Sequence, residues 1–413
     1  MIKFDTFELE NGLRVIHHFN PNKSSTVVNI LYNVGARDED PNKTGFAHLF
    51  EHLMFGGSKN IPDYDGPLQK AGGQNNAFTN NDITNYYIQI PSENIETAFW
   101  LESDRMKQLA FSEKSLSVQQ GVVIEEFKQR YLNQPYGLAY KHLRELAYKT
   151  HPYQWQTIGK EISHVVEAKL IDVIEFFNKY YNPNNAIMCV AGNITLDNCK
   201  HLTTKWFSDI AKGERNKNIY SNEEIQVSAR AIKAPQANAQ KAIYIAFHKS
   251  KKMDVSHAVE DLLSDILSSG KNSFFYKYLI DKEKVFTSID CFVGDDIDPG
   301  LFYIVGRLQD DILMEVAENK LWEYITIFKS SFSNENELLS RKNKLLTAKS
   351  YQDTELLNIA MQLCFAENLG DIQFVNNELL SYINVSVNDI KLLANKILIK
   401  EKSNTVYYDN IIK

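Results

Sequence analysis

The sequence predicts an α+β protein of two similar α/β domains, each a mainly antiparallel sheet with helices packed on it. Three observations predict it. Strand-like alternation at the start gives way to helix-period stretches and then to further strand-like segments. A polar, irregular stretch from about residue 212 to 240, "KGERNKNIYSNEE…KAPQANAQ", divides the 413 residues near their middle. After it the pattern restarts: "HLFEHLMFGGSKN" lies over "EDLLSDILSSGKN" without a gap, His48 falling on Glu260. The expected domains are 1–215 and 216–413, the products of an internal duplication.

The first 34 residues read as strands, "FDTFELENGLRVIHHF" and "STVVNILYNV", with a turn at Asn11-Gly12. Thr44 is placed to cap a helix from Gly45 to about Phe55, ended by Gly56-Gly57. A helical stretch near Asp65–Ala71, a Gly/Asn turn and the strand-like "TNYYIQIP" follow. "SENIETAFWLESDRMKQLA" reads as a helix with Ser92 as N-cap and Glu93 and Glu96 near its first turn, where negative charge suits the helix dipole. Ile95 stands where a capping box requires Glu or Gln. A long helix from about Glu113 to Tyr131 comes next, and "NAIMCVAGNI" reads as a buried strand. In the second half "KAIYIAFHK" is a strand and "VSHAVEDLLSDILSSGKN" a helix.

Composition narrows the function. A net charge of −7 without a basic stripe argues against a nucleic-acid partner. No apolar run approaches the roughly 20 residues of a membrane span. The four cysteines, Cys189, Cys199, Cys291 and Cys364, show no C-x-x-C pairing and read as free thiols. The N-terminus lacks a signal peptide, so a cytoplasmic location is expected, or a periplasmic one if the start has been trimmed.

The chemistry concentrates in "GFAHLFEHLMFGG". Phe46, Ala47, Leu49, Phe50, Leu53, Met54 and Phe55 suit a buried helix, whereas His48, Glu51 and His52 are costly there without partners. Residues four apart stack on one helical face, so His48 and His52 present two imidazoles to one point, as two ligands of a tetrahedral Zn²⁺ require. Glu51 can reach a metal-bound water without being a ligand and act as general base. A third ligand is needed. In "SVQQGVVIEEFKQR", at about 100° per residue, Glu126 stacks on Val122 and Val123 toward the apolar face, while Glu125 falls nearer solvent. Gln119, two turns earlier, shares the side of Glu126 and is expected just behind the ligands. The remaining histidines lack such spacing.

H-x-x-E-H, the inverse of H-E-x-x-H, marks the inverzincins, and the chain resembles their pitrilysin family. The resemblance is carried by "GARDE" at 35–39, "HLFEH" at 48–52, "NNAFTNNDITNYY" at 75–87 and "VVIEEFKQR" at 122–130. It implies one zinc per chain held by His48, His52 and Glu126, with Glu51 as general base. It also implies a zinc-dependent endopeptidase acting on extended peptides or unfolded segments in an enclosed chamber. Asn76, Ala77, Phe78 and Thr79 resemble the edge strand that pairs with substrate backbone.

Two positions depart from the family. Gln119 stands where a glutamate is frequent. Active single-chain members carry an arginine and a tyrosine seven residues apart in the second half; Ile280 and Thr287 stand there in "YKYLIDKEKVFTSID". The chain therefore resembles the zinc-bearing subunit of bacterial two-subunit members and of mitochondrial processing peptidase. A related partner subunit is then expected to supply the Arg and Tyr groups, with a homodimer as the alternative. The competing function is a non-catalytic assembly subunit, against which the intact ligand set weighs. A zinc hydrolase on another substrate is disfavoured by the peptide-binding strand.

Overall fold

The computed structural model describes residues 1–236 and 239–410; residues 237 and 238, inside the expected linker, lie outside the described residues. Among the described residues, eleven strands form two sheets. The first contains β1 (Asp5–Glu8), β2 (Arg14–Phe19), β3 (Ser25–Tyr32), β4 (Gln74–Thr79), β5 (Thr84–Pro91) and β6 (Ala186–Gly192), in the order β1-β2-β6-β3-β5-β4. The second contains β7 (Arg230–Gln236), β8 (Ala242–His248), β9 (Phe286–Val293), β10 (Leu301–Leu308) and β11 (Asn404–Asn410), in the order β7-β11-β8-β10-β9. With β1 set aside the two orders are the same. Each has one parallel pair, β2 with β6 and β7 with β11, and is otherwise antiparallel. Helix α1 (Phe46–Leu53) lies between β3 and β4 in the chain as helix His257–Ser268 lies between β8 and β9. The duplication is thus a repeat of topology.

Packing divides the chain into two units that are not continuous in sequence. The first takes Met1–Phe127, Trp155–Tyr220 and Lys349–Asn377; the second takes Lys128–Gln154, Ser221–Ala348 and the chain from Glu378. In the first, Ile16, Val27, Leu31, Ile187, Cys189 and Ala191 of the sheet are buried against helix Leu356–Asn368 through Leu356, Ile359, Ala360, Leu363 and Cys364. In the second, β8 displays the two-residue period of a strand buried on both faces. Ile243, Ile245 and Phe247 join Leu262, Leu263 and Ile266 in one core, while Ala242, Tyr244 and Ala246 join the other face with Leu143 and Ala147. Fully burying one such aliphatic side chain contributes about 1.5–3 kcal/mol.

Local chemistry explains most element boundaries. The Asn11-Gly12 turn joins β1 to β2, with Gly12 at φ +86 and a Cβ there only 2.5 Å from Asn184 Cβ. Helices α2 (Asp65–Lys70) and α3 (Ile95–Lys107) follow the expected stretches, but Ser92 is not the N-cap of α3. It begins a 3₁₀ turn, Ser92–Asn94, and its hydroxyl meets that of Thr26 at 2.8 Å. The long helix splits into α4 (Glu113–Phe127) and a π-helical turn, Lys128–Leu132. The expected linker contains β7, a whole strand whose polar composition hid it. All four cysteines are free and buried. No helix among the described residues is long and apolar enough to cross a membrane.

Candidate metal centre

α1 starts where the chain turns through Gly45 at φ +88, a left-handed conformation that glycine adopts without penalty. A Cβ at Gly45 would lie 2.9 Å from the carbonyl oxygen of Ile158. Thr44 does not cap the helix. Its buried hydroxyl contacts His164 Nδ1 at 2.9 Å and accepts the Lys160 N–H at 2.7 Å, so it is already committed. The first-turn donors go to Glu39 instead: its carboxylate accepts from Gly45 N–H at 2.9 Å and Ala47 N–H at 2.8 Å. Nothing in the periodicity of the sequence points to Glu39; only its place in "GARDE" marks it.

Within that segment Arg37 pairs with buried Asp82 at 2.8 Å, and the Tyr220 hydroxyl donates to Asp38. α1 is then packed by Phe50, whose ring lies 5.1 Å from both Phe176 and Tyr181. The helix ends at Leu53, two residues short of Phe55, because Phe55 and Gly56 donate to His52 and Leu53 in a tightened last turn.

On this frame His48 is buried and His52 partly exposed, their rings 4.9 Å apart and nearly perpendicular. α4 brings Glu126 to them. Glu126 Oε2 lies 3.5 Å from His48 Nε2 and 3.4 Å from His52 Nε2. Among the described residues this is the one group of three or more His, Cys, Asp or Glu side chains able to meet at a point. Two ligands of a tetrahedral zinc, each at about 2.0–2.1 Å, stand about 3.3–3.4 Å apart. The two observed separations match that edge, and two imidazoles with one carboxylate are a donor set suited to zinc. Glu125 is exposed. Val122, expected on the apolar face, is 44% exposed, whereas Val123 is fully buried. The buried stripe runs through Leu116 and Val123, and Val122 falls about 100° to its side.

Glu51, partly exposed, lies close enough to the phenols of Tyr86 and Tyr181 to bear on their ionisation. Burial chiefly raises both phenols, and the carboxylate adds to it. Beneath Tyr86, Arg105 is buried with Glu102 in a bidentate pair, Nε to Oε2 2.9 Å and Nη2 to Oε1 2.7 Å. Its guanidinium lies 4.4 Å from the Tyr86 ring centre and 4.9 Å from that of Tyr64.

β4, carrying Asn76, Ala77, Phe78 and Thr79, is the edge of its sheet. Ala77 donates its N–H to Asn76 Oδ1 at 2.8 Å, and Phe78 is 37% exposed. Gln119 is half-buried and makes no side-chain hydrogen bond among the described residues; the neighbouring Gln120 does. In the second unit Ile280 packs half-buried against the core, and the Thr287 hydroxyl donates to the Arg307 carbonyl at 3.3 Å. Other histidines go to structural bonds, such as His17 Nε2 to the Ile194 carbonyl at 2.8 Å.

Residues 14–161 match the family model described as insulinase (peptidase family M16), and residues 169–345 match that of the peptidase M16 inactive domain. The chain belongs to peptidase family M16. Among M16 relatives it is similar to zinc protease PqqE of Helicobacter pylori, 27% identical over 416 residues, covering 98% of this chain and 92% of that one. It is 27% identical over 212 residues to the mitochondrial-processing peptidase subunit beta of Saccharomyces cerevisiae, covering 51% of this chain and 45% of that one. A crystal structure of a protease from Helicobacter pylori matches with a TM-score of 0.93 at 26% identity, covering 99% of this chain and 100% of that chain. As an M16 member with a His–His–Glu group, the chain is a zinc protease with a candidate zinc site.

Proposed function

We propose that this protein is a zinc endopeptidase that hydrolyses extended peptides or unfolded segments. The observation that carries the reading is the spacing of His48, His52 and Glu126, which suits three ligands of one zinc ion per chain. Zinc, were it held by these three side chains, would supply Lewis acidity toward water and the peptide carbonyl. Glu51, the immediate neighbour of His52, takes a proton from the attacking water on its carboxylate oxygen. It then passes that proton to the nitrogen of the leaving amine.

Substrate binds as an added strand on β4. The Ala77 N–H, which donates to the Asn76 side chain on this edge strand, donates to a substrate carbonyl once Asn76 turns aside. Gln119 supports Glu126 from the same helical side. Ile280 has no polar group, and the Thr287 hydroxyl is engaged within its own sheet, so an arginine and a tyrosine come from a related partner subunit across an enclosed chamber. The similarity to a protein named as a subunit of the mitochondrial processing peptidase supports that arrangement. A homodimer is the alternative, tested by whether the purified chain alone is active.

Zinc content and cleavage of a quenched peptide library, compared between the wild type and Glu51→Gln, test the reading. The variant keeps about one zinc per chain and loses roughly 100-fold or more in rate. Normal cleavage by Glu51→Gln removes Glu51 as the base. A wild type that binds zinc and cleaves nothing, alone or with a partner, favours the assembly subunit.

A further inference from the structure

In the second unit, the stretch Asn222–Gln226 and the end of helix Val387–Ile397 share the lining of a cavity of about 370 Å³. That lies within the roughly 300–1,000 Å³ of small-molecule sites. Tyr148, Phe247, Pro299 and Ile397 give it apolar walls. Most polar groups of the lining are already engaged. The Glu223 carboxylate accepts the N–H groups of Lys149, Thr150 and His151 at 2.7, 3.0 and 3.0 Å. Gln226 donates to the carbonyls of Ser228 and Ser403 and accepts from Asn404. The Tyr148 hydroxyl donates to the Pro299 carbonyl at 3.0 Å, and His151 stands between the Tyr153 N–H and the Asp298 carboxylate.

Three groups keep capacity for a ligand. Lys396 and Lys402 line the cavity, and among the described residues neither makes an ion pair within 4 Å or a side-chain hydrogen bond. Asp254 feels Lys396 only from beyond that distance. His248 Nε2 lies 3.1 Å from the Ala147 carbonyl; a carbonyl only accepts, so Nε2 carries the hydrogen. Burial lowers the pKa of this ring and keeps it neutral at neutral pH, which leaves Nδ1 as an acceptor without a donor among the described residues. Asn222 and Glu224, the remaining polar side chains of the lining, are exposed.

Two cations, one acceptor and an apolar wall complement a carboxylate, an N–H and an apolar side chain on one small ligand. We propose that this cavity binds the C-terminal residue of a peptide whose last side chain is apolar. The terminal carboxylate meets Lys396 and Lys402 in charge-assisted contacts, and the last amide N–H donates to His248 Nδ1. The side chain lies against Tyr148 and Phe247. None of these residues belongs to the metal group, so the site does not rest on the zinc reading.

The full chain, freed of metal by a chelator, is titrated by ligand-detected NMR with N-acetylphenylalanine and with the tetrapeptide Ala-Ala-Ala-Phe. Both bind with a Kd of about 1 mM or below. The carboxamide of N-acetylphenylalanine, which lacks the charge, binds about 5–10-fold more weakly, and the N-methylated acid, which lacks the donor, about 2–10-fold more weakly. N-acetylglycine, without the apolar side chain, loses about tenfold or more. Lys396→Ala and Lys402→Ala each weaken the acid about 2–5-fold and leave the carboxamide unchanged, a split that a general loss of structure does not produce. No binding, equal affinity for acid and carboxamide, or unaltered affinity in both lysine variants overturns the proposal. Phenethylamine binding more tightly than the acid gives the selection to Glu224 and overturns it as well. Binding of N-acetylphenylalanine without the tetrapeptide removes a peptide end as the occupant.

Discussion

Glu39 Oε2 accepts the backbone N–H of Gly45 at 2.9 Å, tying the segment before the metal helix to the residue from which that helix starts. Burial raises the Glu39 carboxyl to about 8 although two backbone donors favour its charged form. The folded state therefore holds this proton more tightly than the unfolded chain, whose carboxyl titrates near 4.5. Stability tied to Glu39 is fullest below that value and is lost as pH rises through about 8. Glu39→Gln cannot titrate and leaves one buried N–H facing an amide, at a cost of about 1–3 kcal/mol. Urea unfolding at pH 5 and pH 8.5 should show lower stability for the variant at pH 5 and a smaller fall between the two. A fall equal to that of the wild type contradicts the raised carboxyl.

Glu126 and Glu125 are adjacent, yet only Glu126 meets the histidines. Glu126→Gln should weaken zinc binding by more than the roughly 10–100-fold that loss of an outer hydrogen-bond partner costs. Glu125→Gln should bind as the wild type does. Chelator competition measures both, and the reverse result assigns the third ligand to Glu125.

Proline is tolerated on an edge strand where its missing N–H faces outward. Ala77→Pro should therefore keep the unfolding midpoint near that of the wild type. It removes one donor to substrate backbone, worth about 0.5–1.5 kcal/mol, so KM for extended peptides rises about 2–10-fold. Unchanged KM argues against strand addition at β4.

Glu102→Gln leaves the Arg105 guanidinium buried without a counter-charge, which costs about 3–5 kcal/mol. Because Arg105 lies against Tyr86, and the Tyr86 hydroxyl donates to the Phe50 carbonyl at 3.3 Å, the loss reaches α1. Chemical denaturation gives the size of the loss; a change under 1 kcal/mol means the pair is hydrated rather than buried.

The metal group was legible because its signals are local. The i, i+4 histidines share a face by helix geometry alone, and the burial of Val123 beside exposed Glu125 follows from angular position on α4. The duplication was legible because the segments carrying α1 and helix His257–Ser268, "HLFEHLMFGGSKN" and "EDLLSDILSSGKN", align without a gap. Contacts distant in sequence were not. Thr44 reads as a cap until Lys160 and His164 claim its hydroxyl, and no local pattern shows that Glu39 meets the start of α1. Ser92 likewise faces Thr26, 66 residues away. Val122 reads as inward-facing because two adjacent valines give no hint which one is buried.

The discontinuity of the first unit sets an order on its completion during synthesis. The sheet beside the metal helix needs β6, which follows α1 by more than a hundred residues. Its strands are covered by Leu356, Ile359, Leu363 and Cys364, which follow α1 by about 300 residues. Until that late helix arrives, Ile16, Val27, Leu31 and Ile187 stay open to water or to a chaperone. The nascent chain can hold all three side chains of the candidate zinc group long before it has the core that keeps them in register.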